Sequence, residues 1–339
     1  MKILKIDPVH IKSDFIRQAA RVLRRGSLVV FPTETVYGIG ADVFNEKAVA
    51  KIFIVKQRMA DNPIIVHIAQ MSDLKKLARN VLPQALLLAK HFWPGPLTLI
   101  LSKKREVSQI VTGDNDTVAV RMPDHPVALA LIKAVKSPIA APSANLSGKP
   151  SATDVAHALS DFGDKIDVYI DSGPAKIGLE STVLDLTVNP PEILRPGAIT
   201  KEILQKFLGR VVDNKNHPKN KIRSPGMKYR HYAPNARLVL VNGNPKIIVK
   251  KMQALLGKFK KEGKKVGIIA SKETVAHCRQ ADSVVILSTR RNLKMAAHKL
   301  FRALRRFDDE RMDIIISETF PERDIGKAIM NRLRKAATS

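Results

Sequence analysis

Three stretches of the chain set polar, chemistry-bearing residues directly against apolar runs: Pro32-Thr33-Glu34-Thr35-Val36-Tyr37-Gly38, Phe53-Ile54-Val55-Lys56-Gln57-Arg58 and Ala141-Pro142-Ser143-Ala144-Asn145. Rigid elements present reactive groups at such junctions, so three of them in the first half of the chain point to one composite site. Their cations, hydroxyls and amide suit a polyanion held beside a small zwitterion. If the strand-like run 28–31 continued its alternation, Thr33 and Thr35 would share a face and Glu34 would take the other. A turn stabilised by threonine side-chain bonds is the alternative. Lys56 and Arg58 are two apart and do not face each other on a helix, so both reach one triphosphate only if the helix ends between them. Asp61-Asn62-Pro63 signals such an end, although taken in isolation these residues read more readily as a solvated pair at a helix C-terminus.

Further candidates sit at strand-like runs. His67 lies within 64–68 and reads either as a satisfied core residue or as a ligand contact. Arg121, at the end of 118–122, offers a planar fork for a carboxylate. Ser143 and Asn145 follow the small-residue run Ile139-Ala140-Ala141 and offer donors and acceptors for phosphate or adenine. Gly148-Lys149 is no phosphate loop, since Ser143 stands where the first glycine belongs and Pro150 removes a backbone donor. Glu180-Ser181-Thr182 and Arg195-Pro196-Gly197 flank two more runs. Lys228-Tyr229-Arg230-His231-Tyr232-Ala233-Pro234 concentrates aromatic and basic groups in a stretch that otherwise reads as linker, as a covering flap, an RNA contact or interdomain packing. No His/Asp/Glu set has metal-ligand spacing and no Gly-x-Ser-x-Gly elbow occurs, which leaves hydrolase chemistry poorly supported.

The elements that must position these residues follow from periodicity. Apolar spacing behind Ser13 as cap predicts a first helix ending at Gly26, then a strand over 28–31. Strands are expected at 63–68, 97–101, 117–122, 168–170, 181–186 and 192–194, with a helical pattern over 74–92. The lack of strict strand–helix alternation favours a mixed sheet. After 236 the rhythm changes: strands at 237–241, 265–270, 283–287 and 313–317 alternate with helices at 247–259 and 293–307. That predicts a smaller, largely parallel, Rossmann-like α/β domain. The expected organisation is a first domain over 1–210, a linker over 211–236 and a second domain over 237–339.

At 339 residues and 45% hydrophobic, the chain can bury two cores. Its net charge of +27 is uneven: residues 1–210 hold 28 basic against 20 acidic residues, and 211–339 hold 30 against 11. Such a field attracts RNA or only aids solubility. Cys278 is the one cysteine, so no internal disulfide or thiolate cluster forms, which fits a reducing cytosol. No apolar run approaches the roughly 20 residues of a membrane span, and the expected location is cytoplasmic.

Taken together, Lys56-Gln57-Arg58, Ser143-Ala144-Asn145, the 32–38 segment, Trp93-Pro94-Gly95-Pro96-Leu97-Thr98 and the 224–234 linker resemble the YrdC-like family in its long, two-domain form, over nearly the whole chain. Met59 departs from the proline that many relatives carry, which bears on loop stiffness rather than chemistry. The resemblance implies a YrdC-like mixed twisted sheet with helices in the first domain. It implies conversion of L-threonine, bicarbonate or CO2, and ATP to threonylcarbamoyl-AMP and pyrophosphate, the first step of tRNA threonylcarbamoyladenosine modification. A second protein or complex would transfer the group to tRNA. Lys56, Arg58, Ser143 and Asn145 would then be catalytic. Thr35, His67, Arg121, Ala141 and Ser181 would contact threonine, and Arg58, Asn62, Thr117, Ser143, Ser151, Arg195 and Tyr232 would contact ATP. No protein-held metal is implied; Mg2+ would accompany the nucleotide, and the 211–236 linker would cover the site. The rival readings are a noncatalytic basic RNA-binding protein and a relative of the same fold that transfers carbamoyl groups from carbamoyl phosphate. The absence of cysteine-rich accessory segments counts against the second.

Overall fold

A computed structural model describes residues 1–214, 223–225, 231–276, 278 and 280–337. They form two compact units: one of Met1–Ser147, Ser151–Lys176 and Glu180–Tyr229, the other of Gly148–Pro150, Ile177–Leu179 and Arg230–Ser339.

Unit 1 is built on a mixed sheet. Its spatial order is β1 (Lys2–Lys5), β8 (Val168–Asp171), β2 (Val29–Phe31), β3 (Gly38–Asp42), β7 (Ile139–Ala140), β4 (Ile65–His67), β6 (Thr117–Arg121), β5 (Leu97–Ser102), β9 (Thr182–Asp185), β10 (Glu192–Arg195) and β11 (Val212–Asp213). The helices are α1 (Ser13–Arg24), α2 (Glu46–Lys56), α3 (Leu74–Leu77), α4 (Pro83–Phe92), α5 (Gln109–Thr112), α6 (Pro126–Val135), α7 (Val155–Phe162) and α8 (Lys201–Leu208). Alternation along the strands divides the burial. Ile64, Val66, Leu99, Leu101, Val118 and Val120 enter the main core with Ile52 of α2 and Leu88 of α4. A second core joins Val29, Phe31, Ile139 and Val168 to Ile16, Ala19 and Leu23 of α1 and Leu131 of α6. Ile65, Ile100, Ala119, Val183 and Leu194 form a small separate cluster, and their parity places it on the side of the sheet away from the main core.

Three details correct the sequence-based expectations. Ser13 is the first residue of α1 rather than its cap; Lys12 holds that position without a side-chain cap bond, and Ser13 Oγ accepts from Arg17 at 3.1 Å. The helical pattern over 74–92 is two helices, because Ala78 is extended and bridges Lys103, Asn80 is left-handed, and Pro83 opens α4. Proline at the start of a helix restricts the residue before it to extended backbone. The strand β3, Gly-Ile-Gly-Ala-Asp, carries little β propensity. Its glycines answer to packing: a Cβ on Gly40 would lie 2.6 Å from Ile139 Cγ2 and 2.9 Å from Phe31 Cε1.

Unit 2 carries a four-stranded parallel sheet in the order β12 (Arg237–Val241), β15 (Ile314–Glu318), β13 (Val266–Ala270) and β14 (Ser283–Ile286), with α9 (Pro245–Lys261), α10 (Lys272–Val275), α11 (Leu293–Asp309) and α12 (Gly326–Ala337). Val266, Ile268, Ile314 and Ile316 pack on Ile248, Met252 and Leu256 of α9. The alternate residue Gly267 faces α11, where an added Cβ would lie 2.9 Å from the Phe307 ring, so the two long helices cover opposite faces. Two short loops complete the unit: Arg305 donates twice to Pro150 O, at 3.1 and 2.7 Å, and Gly178, at φ +81°, lies against the His298 backbone. Cys278 is buried, and burial pushes its thiol pKa up, with the Glu318 charge adding to the rise.

Gly40→Ala tests the packing of the second core. Overpacking of this kind costs about 1–3 kcal/mol, so urea unfolding should show a midpoint lowered accordingly with an unchanged slope.

Candidate active site

Register decides which side chains of unit 1 meet. His67 pairs with Arg121 and with Ile139, which places Ala141, two residues on, on the same face. Ser102 pairs with Thr117, Ile100 with Ala119, Thr98 with Val183, and Val183 with Arg195. Directly paired residues point the same way, and so do residues two apart. His67, Thr98, Thr117, Arg121, Ala141, Ser181 and Arg195 therefore project from one face, over the small apolar cluster of Ile65, Ile100, Ala119, Val183 and Leu194. A bulge between Ile193 and Arg195 lets Leu194 and Arg195 both take that side.

Arg121 ties the first polar segment to this face. Its Nη1 donates to Thr35 Oγ1 at 2.8 Å, its Nε donates to Gly95 O at 3.1 Å, and its Nη2 approaches Glu34 Oε1 at 2.6 Å as an ion pair. Both charged side chains are buried, 4% and 5% exposed. Thr33 Oγ1 lies 2.9 Å from Thr35 Oγ1 and donates to Val36 O at 2.6 Å. The turn alternative is thus the one the structure adopts, and the strand-based reading of opposite faces fails: residues 34–36 are a bend, and Glu34 and Thr35 converge on one guanidinium.

A second network joins Ser181 and Arg195. Thr98 Oγ1 is 2.7 Å from Ser181 Oγ, Arg195 Nη2 donates to the same hydroxyl at 3.1 Å, and Arg195 Nε donates to Ser181 O at 3.1 Å. Nearby in sequence, Ser151 Oγ donates to Glu180 Oε1 at 2.5 Å. Gly95 and Thr98 link the networks, one accepting from Arg121 and the other bonding Ser181. A Cβ on Gly95 would lie 2.3 Å from Phe92 O, so only glycine fits there.

The cation pair follows the helix-end rule. α2 stops at Lys56, and Gln57 adopts the left-handed conformation at φ 52°, which turns Arg58 away from the helix. Lys56, 1% exposed, donates from Nζ to Ser143 O at 2.6 Å and also to Asn145 O, fastening the 143–145 loop. Arg58 donates to Asn62 O at 3.2 Å and Pro63 O at 2.8 Å. Asn62 is buried, and its Oδ1 has no hydrogen-bond partner among the described residues. Ser143 bridges Gly38, bringing the first and third polar segments side by side, and the Ala141 amide donates to Ile65 O at 2.9 Å.

Burial, reinforced by the Arg121 charge, depresses His67 to about 3 from an ordinary 6.5, so its imidazole is neutral. Its Nδ1 is buried without a hydrogen-bond partner among the described residues. Tyr232 belongs to unit 2, where it is buried, stacks on Phe301 at 5.3 Å between centroids and lies under the Arg332 guanidinium. Of the linker motif, Lys228, Tyr229 and Arg230 lie outside the described residues. Sequence reasoning passed over Glu34, Gly95, Thr98 and Glu180 as site residues, although each lies in a segment singled out for its composition.

A mixed sheet presenting cations and hydroxyls over one apolar patch, joined in sequence to a parallel α/β unit, defines a two-unit α/β protein. Residues 21–197 match the family described as "Telomere recombination", and residues 199–338 match the "Threonylcarbamoyl-AMP synthase, C-terminal domain". The threonylcarbamoyl-AMP synthase of Pyrococcus abyssi is 48% identical over 95% of this chain and 94% of its own length. That of Bacillus subtilis is 48% identical over 95% and 92%. The crystal structure of P. abyssi Sua5 complexed with L-threonine superposes with a TM-score of 0.94 at 46% identity, covering 100% of this chain and 98% of that one. The chain belongs to the threonylcarbamoyl-AMP synthase family.

Two predictions arise from the buried groups. Because the fold keeps His67 neutral, its contribution to stability is present above pH 6.5 and is lost as pH falls from there toward about 3, by about 1.4 kcal/mol per pH unit. The melting temperature of His67→Gln should therefore fall less steeply with acid than that of the wild type. Glu34→Ala leaves the Arg121 guanidinium buried without its carboxylate, and a broken buried pair costs about 3–5 kcal/mol; denaturant titration should register the loss.

Proposed function

We propose that the chain converts L-threonine, CO2 or bicarbonate, and ATP into threonylcarbamoyl-AMP and pyrophosphate. The observation that carries this reading is the shared sheet face of His67, Arg121, Ala141, Ser181, Thr117 and Arg195, with Thr35 tied to it through Arg121. The guanidinium of Arg121, the hydroxyls of Thr35 and Ser181, the neutral imidazole of His67 and the Ala141 carbonyl make a site for an amino acid's carboxylate, hydroxyl and amine. Arg58, Asn62, Thr117, Ser143, Ser151 and Arg195 take the nucleotide. The P. abyssi protein crystallised with L-threonine supports this choice of amino acid.

The chemistry asks for alignment more than for covalent work. Threonine's amine adds to CO2 and loses a proton, giving a carbamate. A carbamate oxygen attacks the α-phosphorus, the bond to the bridging oxygen breaks, and pyrophosphate leaves with that electron pair. Both reactants are anions, so fixed positive groups that offset their repulsion act on the transition state. Lys56 serves this geometry by holding the Ser143 and Asn145 carbonyls, which orients that loop's donors. No group of three or more His, Cys, Asp or Glu side chains among the described residues has the arrangement of a metal site. Mg2+ would accompany ATP rather than sit in a protein-built site, and would supply screening of the phosphate charge. The product is the intermediate for tRNA threonylcarbamoyladenosine, passed to a transfer protein. Among the described residues no helix is long and apolar enough to cross a membrane, and we place the protein in the cytoplasm with its tRNA-modifying partners. The named activity of the full-length relatives favours catalysis over the noncatalytic RNA-binding alternative.

Pyrophosphate release should require ATP, threonine and bicarbonate together, with each omitted in turn giving background. Equal rates with serine would overturn the assigned specificity. Lys56→Ala and Arg58→Ala should each lower turnover about 100-fold or more with the circular dichroism spectrum retained.

A further inference from the structure

Unit 2 holds a charge pattern that the active site does not use. Residues 246–265 contain eight lysines, one glutamate and no arginine. Within α9, Ile248, Met252, Leu256 and Phe259 are buried. Three lysines lie opposite them on the helix: Lys246, Lys250 and Lys261 are exposed, and none has a carboxylate partner among the described residues. The flanking lysines are committed, Lys251 to Asn242 O at 3.3 Å, Lys258 to Glu262 at 4.0 Å and Lys260 to Asp282 at 2.7 Å. With Gly257 between them, the three form a line spaced 4, 7 and 4 residues apart, within about 60° of arc and about 22 Å long.

Gly257 is the independent observation. A glycine inside a helix is disfavoured relative to alanine, and here no packing demands it: an added Cβ would meet nothing within 4 Å. Helical geometry does not demand it either, since its φ is not in the left-handed range. Gly257 is half-buried, and lacking a side chain it leaves a gap in the side-chain layer between the lysines, through which another chain can approach the helix backbone.

We propose that the α9 face of Lys246, Lys250, Gly257 and Lys261 binds the phosphodiester backbone of RNA, with one strand crossing the helix at Gly257. Lysine ammonium groups suit phosphates as point charges, whereas recognition of carboxylates favours the planar fork of arginine, which α9 lacks. The face has no aromatic side chain on which bases would stack, so contact is to the backbone and carries no sequence preference. The choice of RNA rests on the proposed function, whose product is destined for tRNA. The binding experiment needs no turnover, so the two readings fail separately.

The test is fluorescence anisotropy of a labelled tRNA transcript titrated with the full chain between 50 and 200 mM salt. The wild type should show a steep dependence of log affinity on log salt. The triple variant Lys246→Gln/Lys250→Gln/Lys261→Gln should lower that slope by about 2 to 3 and weaken binding at least tenfold at the low-salt end. Gly257→Leu keeps every charge and favours the helix, so it should raise the melting temperature yet weaken binding several-fold. Threonine-dependent pyrophosphate release should be unchanged in both variants, which controls for folding. An unaltered slope in the triple variant, or wild-type affinity in Gly257→Leu, would overturn the proposal. So would tighter binding of a DNA duplex of equal charge, or displacement of the tRNA by poly-L-glutamate at equal charge concentration.

Discussion

A buried guanidinium is the constraint around which the polar face of the unit 1 sheet is arranged. Arg121 sits on the interior strand β6, almost without solvent, and a cation in that position needs a counter-charge and hydrogen bonds for its remaining protons. Glu34, Thr35 and the Gly95 carbonyl supply them. Meeting that demand brings together two chain segments about sixty residues apart, one leading into β3 and the other into β5, with β7, β4 and β6 between those strands in the sheet. The 33–36 bend exists in its observed form because two of its consecutive side chains must reach one group. The same cation also helps keep the adjacent imidazole uncharged.

Elsewhere the polar groups hold the scaffold as much as they await a ligand. Lys56 and Arg58, the residues whose charge most invites a phosphate, both donate to backbone carbonyls. Charge-assisted bonds of that kind fix loops that have no regular structure of their own. The ammonium and guanidinium groups thereby set the positions of Ser143, Asn145 and Asn62. Pre-organisation of this sort lowers the reorganisation needed when two anions are drawn together.

The strand positions of the candidate residues were legible in the sequence because a period of two is a strong signal: His67 lay within a strand-like run, Arg121, Ser181 and Arg195 lay at the ends of others, and register then put them on one face. The loop-borne half was legible by composition only. Nothing in Pro32-Thr33-Glu34-Thr35 reveals that Glu34 turns toward Arg121, since a bend obeys no alternation. Nor does an isolated lysine disclose that its partners are carbonyls 87 and 89 residues away. The fold shows the same division. The parallel strands of unit 2 match the apolar runs nearly residue for residue, whereas β3 escaped notice because its glycines are placed by the Phe31 ring and the Ile139 side chain, contacts that exist only once the sheet has formed.

The bulge at the end of β10 makes the β9–β10 hairpin sensitive to its own length. With Leu194 and Arg195 both opposite Val183, the strand contributes an apolar and a cationic group to the same side. If the ladder closed into uninterrupted pleating with Ile193 still inward, the guanidinium would be driven among Leu184 and its neighbours in the main core. Substitutions along the hairpin only alter what a position offers, but an insertion or deletion that irons out the kink inverts where it points, so variation in this segment should be far better tolerated by exchange of residues than by a change in their number.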